Sequence, residues 1–154
     1  MKQRIYIDTS VIGGCMDEEF AHWSKKLISE FKEGLRIALI SSLTRSELEK
    51  APVEVRDVIS SIPPTNIENV TLTDEAETLA EEYLKAGAVG RKHFADAQHI
   101  AIATIARVDV LVSWNFQQIV NLKRIRSYNS VNLRLGHALL EIRSPREVVH
   151  DEEV

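Results

Sequence analysis

A chain of 154 residues that is 44% hydrophobic and 27% charged has enough length and apolar content to fill the core of one domain. Its net charge of -4 argues against nucleic-acid binding through general basicity, and its single cysteine, Cys15, rules out an intrachain disulfide or a cysteine-rich zinc site. The N-terminal MKQRIYIDTSV meets Asp8 too soon for a signal peptide, and no run of about 18 apolar residues offers a membrane span, so the expected setting is the reducing cytoplasm.

In chain order, RIYID (4 to 8) is β-branched and aromatic and runs into the turn residues TS, which predicts a buried strand with Asp8 at its carboxyl end. DEEFAHWSKKLISEFKEG predicts an amphipathic helix with Phe20, Trp23, Leu27 and Phe31 on one stripe, opened by acids and closed at Gly34. LRIALIS (35 to 41) predicts a second strand, SLTRSELEKA a helix carrying Glu47, and VEVRDVIS a short helix before IPPT. That Pro-Pro break does not divide the chain, so residues 1–154 are expected to form a single domain. TNIENVTLT predicts a brief extended stretch. DEAETLAEEYLKAG predicts a helix with Ala76, Leu79, Ala80, Tyr83 and Leu84 at spacings of three and four. FADAQHIAIATIAR (94 to 107) predicts an apolar helix that nevertheless keeps Asp96 near its start. VDVLVSW (108 to 114) and LLEIRS (139 to 144) predict two more strands, and SPREVV starts a final helical turn at Pro145. The tail HDEEV is expected to be a solvated end. Strands alternating with helices predict an α/β fold with a parallel sheet covered on both faces.

In such a fold functional groups gather outside the carboxyl ends of the strands. Asp8 and the SWN segment after VDVLV lie at two such ends, and Asp96, early in its helix, is drawn there by the positive end of the helix dipole. Each acid has a plainer reading as well: Asp8 as a turn residue bonding its own backbone, Glu47 as a solvated helix residue, Asp96 as a helix cap.

Taken together, YIDTSV around Asp8, TRSELEKA around Glu47, the segment 94 to 115 and the ending NLRLGHALLEIRSPREVV resemble the PIN domain family, which includes the VapC-like toxins. The resemblance runs from about residue 4 to residue 149. It implies a three-layer α/β/α domain with a central parallel sheet and a metal-dependent endoribonuclease site cleaving RNA phosphodiester bonds. It further implies a magnesium or manganese cofactor, a protein antitoxin as partner, and a homodimer. Matched position by position, the implied catalytic and metal-binding acids are Asp8, Glu47 and Asp96. A fourth acid of the family falls on Asn115, whose neutral carbonyl oxygen can meet a hard cation without adding charge. Thr9, Ser10 and Ser113 match hydroxyl positions that orient carboxylates or a water, with turn capping as the plain reading.

The chemistry accounts for such a grouping. A phosphodiester repels hydroxide, so a site must neutralise charge and activate water, and hard divalent cations held by carboxylates do both. His99, three residues after Asp96, is either a hydrogen-bond partner of a site carboxylate or a satisfied core histidine. Trp114 and Phe116 flank Asn115 and either stack on bases or pack. Arg45, Lys92 in GRKH, and LKRIR (122 to 126) are candidate phosphate contacts or scattered solvated charges. An aspartate closing a first strand also occurs in phosphatases of the haloacid dehalogenase type, but their second acid, two residues on, is Ser10 here. The runner-up is a non-catalytic PIN-like module that binds RNA or protein, with Asn115 marking a weakened site.

Overall fold

In the computed structural model, residues 1–149 are described, so the HDEEV tail lies outside them. Strand β1 (Arg4–Ile7) runs through the middle of a five-stranded sheet. On one side lie β2 (Ile37–Ser41) and β3 (Ile67–Val70), and on the other β4 (Val110–Val112) and β5 (Ile142–Arg143). The order is β3-β2-β1-β4-β5 and every pairing is parallel.

The period-two rule for strands explains the two cores. Register sets Ile5 beside Ala38 and Val110, and Tyr6 beside Leu39 and Leu111. Ile5, Ile7, Ala38, Ile40, Val110 and Val112 all face one layer, packed by Leu27, Ile28 and Phe31 of helix α2 (Ala21–Lys32), by α1 (Thr9–Gly13) and by α4 (Val53–Ser60). Tyr6, Leu39, Leu111 and Ile142 face the other, packed by α5 (Asp74–Lys85), α6 (Phe94–Ala106) and α7 (Leu122–Arg134). Helix α3 (Ser42–Leu48) leaves the end of β2, and α8 (Pro145–Val148) follows β5 through a capping box between Ser144 and Glu147. The expected three-layer α/β/α architecture is what forms. Helix α6 is buried over most of its length, from Ala97 to Thr104, because it packs along α5 and shares one core with Tyr6, Leu39 and Leu111 of the sheet.

One helix boundary needs correcting, and one helix was not expected. The first amphipathic helix starts at Ala21, not at Asp17: the Asp17 Oδ1 accepts the N–H groups of Glu19 and Phe20 and holds a turn ahead of the helix. Residues 122 to 134 form a full helix that the basic run LKRIR obscured. It is tied in by buried polar contacts, Tyr83 donating to Asn132 at 2.5 Å and Tyr128 to the Gln118 carbonyl at 2.9 Å.

Candidate active site at the carboxyl edge of the sheet

The chain goes outward from β1 to β2 and β3, then crosses back to β4 on the other side. The ends of β1 and β4 therefore form the topological switch point, where parallel sheets open a crevice. Asp8 follows β1 at that point and is 5% exposed. It caps α1 by accepting from the Val11 N–H at 3.3 Å. Its Oδ1 also accepts from Ser10 Oγ and its Oδ2 from Ser113 Oγ, each at 2.6 Å. Burial pushes the Asp8 carboxyl above its ordinary value, against the opposing pull of His99 and these three donors. Ser10 Oγ in turn accepts the Trp114 N–H at 2.9 Å, so α1 and the loop after β4 are held together through a single hydroxyl.

Glu47 projects from α3 toward the same edge. Its Oε1 accepts from Thr9 Oγ1 and from His99 Nε2, both at 2.7 Å. Burial alone would raise this carboxyl, but the hydrogen bond and charge of His99, with the Thr9 hydroxyl, hold it below the ordinary value. Since a carboxylate only accepts, Nε2 must carry the proton. The other ring nitrogen, Nδ1, meets Tyr6 OH at 2.6 Å, and Tyr6 OH bonds Ser41 Oγ at 2.8 Å beside Thr44. His99 is thus a buried, satisfied histidine and also the partner of a site carboxylate; both sequence readings apply.

Asp96 lies in the first turn of α6, but the cap position is His93, so Asp96 is not the helix cap. Burial raises its carboxyl, His99 opposes this, and Asp8 and Glu47 add to the rise, which puts the three acids within electrostatic reach of one another. His93 Nδ1 stands 3.8 Å from its Oδ2. Asn115 Nδ2 donates to Asp96 Oδ1 at 3.4 Å, while Asn115 Oδ1 accepts the backbone N–H groups of Gln117 and Gln118 at 3.1 and 2.9 Å. The partners force this orientation, because carboxylate oxygens only accept and backbone N–H groups only donate. In this arrangement the Asn115 carbonyl oxygen closes the loop and its amide nitrogen faces the acid.

The sequence matches no protein-family model and no curated protein. Solved structures do resemble it. VapC20 of Mycobacterium tuberculosis, a sarcin-ricin loop cleaving toxin, superposes with a TM-score of 0.58 over 73% of this chain and 91% of its own, at 15% identity. VapBC2 from Rickettsia felis, bound to a DNA fragment from their promoter, gives 0.59 over 92% and 98%, at 13% identity. The chain has a VapC-like PIN-domain fold. At such identities the likeness is one of fold, and the chemistry must be argued from the side chains.

In this PIN-domain fold the donor set suits a hard cation in kind: carboxylate oxygens, with burial raising the Asp8 and Asp96 carboxyls and so disfavouring their charged forms until a cation is present. Glu47 Oε2 has no hydrogen-bond donor among the described residues, and Asp8 accepts three hydrogen bonds where its oxygens have about four lone-pair sites. Among the described residues, however, no three His, Cys, Asp or Glu side chains stand close enough to make a ready cage. Thr9, His99, Ser10, Ser113 and Asn115 hold each acid separately.

The remaining candidates separate. Lys92 is exposed in the 3-10 turn that leads into α6. Arg45 is exposed on α3, donates to Asn69 Oδ1 at 2.7 Å and lines a cleft with Arg56 between α3 and α4. Trp114, expected either to stack on bases or to pack, is packed. It is 8% exposed, stacked on Phe20 at 4.2 Å, with Nε1 donating to Ser24 at 2.8 Å. Tyr6 and Ser41 were missed, although a tyrosine inside a buried strand two residues before an acid signals a hydroxyl that must find a partner.

Proposed function

We propose that this chain is a magnesium- or manganese-dependent endoribonuclease that hydrolyses RNA phosphodiester bonds, working as one domain over residues 1–154 and as the toxin of a toxin–antitoxin pair. One observation carries the reading: Asp8, Glu47 and Asp96 stand at the switch-point edge, each carboxyl held in place by its own polar partners, Ser10 and Ser113 on Asp8, Thr9 and His99 on Glu47, Asn115 on Asp96. In this reading Asp8, Glu47 and Asp96 hold the cation. A bound magnesium or manganese ion would offset the phosphodiester charge and acidify the attacking water. Ser10 and Ser113 fix the rotamer of Asp8, Thr9 and His99 fix Glu47, and exposed Lys92 meets the RNA backbone.

The likeness to VapC20 and to the VapBC2 assembly supports the toxin role and a protein antitoxin as partner. No helix among the described residues is long and apolar enough to cross a membrane, and we place the protein in the cytoplasm as a homodimer. Light scattering should then give twice the 17.4 kDa chain mass. A second reading, a non-catalytic PIN-like RNA- or protein-binding module, is favoured by one observation: the neutral Asn115 amide already stands against Asp96.

A manganese titration followed by cleavage of mixed RNAs decides between them. The enzyme reading expects saturable binding and cleavage, with Asp8→Asn, Glu47→Gln and Asp96→Asn each lowering turnover by about 100-fold or more, a loss typical of groups acting in the transition state. Retention of cation binding and RNA turnover when all three acids are replaced would defeat it.

A further inference from the structure

Beside the acid edge lies a cavity of about 330 Å³, at the small end of ligand sites, with Phe20, Trp23, Trp114, Phe116 and the charged Glu19 and Arg146 in its walls. Its floor is the Phe20–Trp114 stack. Phe116 stands edge-on to Trp114 at 6.1 Å and is 49% exposed, so it presents a free aromatic face. Arg146 also lines the cavity, its guanidinium over the Trp23 ring at 5.6 Å.

We propose that this cavity binds one unpaired nucleobase of an RNA strand, stacked on Phe116 and Trp23, with its phosphate on Arg146. The inference rests on the ribonuclease reading and adds where the substrate is gripped. Aromatic faces accept any base through stacking, and a guanidinium beside them meets the phosphate. RNA is favoured over a protein side chain by position. Trp114 and Phe116 flank Asn115, which bonds Asp96, and the Trp114 N–H bonds the same Ser10 hydroxyl that holds Asp8. A base seated here keeps its strand at the acid edge. Glu19 accepts the N1–H and exocyclic N–H groups of guanine, which makes guanosine monophosphate the natural probe.

The chain has two tryptophans and both line the cavity, so fluorescence excited at the tryptophan edge reports on its occupancy, with Phe116→Ala assigning the signal to the cavity. Guanosine monophosphate titrated in chelator should quench that fluorescence saturably. Phe116→Ala, at an exposed loop position, should weaken the affinity by roughly 5- to 100-fold, the range found for loss of a base–aromatic stack. Arg146→Ala should weaken guanosine monophosphate but leave guanosine nearly unchanged. Absence of saturable quenching, or equal affinities in parent and Phe116→Ala with circular dichroism unchanged, overturns the proposal. A chain that cleaves RNA with manganese while showing no such quenching overturns the cavity alone. A chain that binds the nucleotide through Phe116 but never cleaves RNA overturns the ribonuclease reading and leaves the cavity standing.

Discussion

Asn115 is where one atom changes the character of the site. Its Nδ2 donates to Asp96 at 3.4 Å while its Oδ1 holds two backbone N–H groups. In Asn115→Asp one carboxylate oxygen can keep the loop closed, but the other meets Asp96 as a like charge. Without metal that variant should melt lower than the parent; with manganese the pair becomes an added hard ligand. If affinity rises tenfold, saturating manganese should add about 1.4 kcal/mol more stabilisation, or roughly 3–6 °C of extra melting shift. Calorimetry in chelator and in manganese checks both signs, and an unchanged metal-induced shift would put Asn115 outside the cation site. Tyr6 acts one shell further in. Tyr6→Phe strips the hydroxyl shared by His99 Nδ1 and Ser41 Oγ; Ser41 keeps Thr44 but the buried His99 Nδ1 is left unpaired, so the change should cost about 1–3 kcal/mol in urea melts.

Between elements, the site depends on hydroxyls that bridge segments far apart in sequence. Ser24 of α2 donates to the Val11 carbonyl of α1 and accepts from Trp114 Nε1 after β4, both at 2.8 Å. Gly14 permits that meeting, because a Cβ there would stand 2.6 Å from Ser24 Oγ and 2.8 Å from Trp114 Nε1. Ser24→Ala leaves a buried indole N–H and a buried carbonyl without their partner. It should lower stability by about 1–3 kcal/mol and red-shift tryptophan emission as the indole gains access to water. Loss of stability with an unchanged emission maximum would mean that Ser24 serves α2 alone.

For the whole molecule, the acids tie stability to pH in a direction opposite to that of most paired carboxylates. Asp8 and Asp96 have folded values raised by burial, so their contribution is full below the ordinary value of 3.8 and is lost as pH climbs through the raised folded values. Glu47, held low, works the other way: its contribution is present above 4.5 and lost as pH falls. In chelator Asp8→Asn should thus match or exceed the parent, with an advantage that grows as pH rises from about 4 and then levels off. Asparagine remains a good cap for α1 and its Oδ1 keeps accepting, while its amide nitrogen must donate to Ser113 Oγ, which the hydroxyl can meet by turning its own proton away. Melting curves across pH 3.5–8 measure the difference, in steps of about half a unit around the ordinary carboxylate value. An advantage for the parent at neutral pH in chelator would show that Asp8 is needed for structure rather than for a cation.

Short-range pattern determines much of this molecule. The short apolar runs RIYI and IALIS, three-and-four spacing in α5, and turn residues at the strand ends are local, and the sheet only had to accept them. They placed Asp8 at a strand end, Glu47 on a helix and Asp96 in a first turn. The chain order of strands says nothing about their order in space, and only the assembled sheet put β1 beside β4 and so brought Asp8 to Ser113 across 105 residues. Helix α7 escaped notice because its apolar positions are interrupted by basic residues and asparagines, whose partners, Tyr83 among them, belong to other elements. The same reason governs Trp114, Asn115 and Tyr6. Sequence told which groups they carry, but which atom meets which partner is decided by backbone segments that approach only once the two apolar faces of the sheet have been covered.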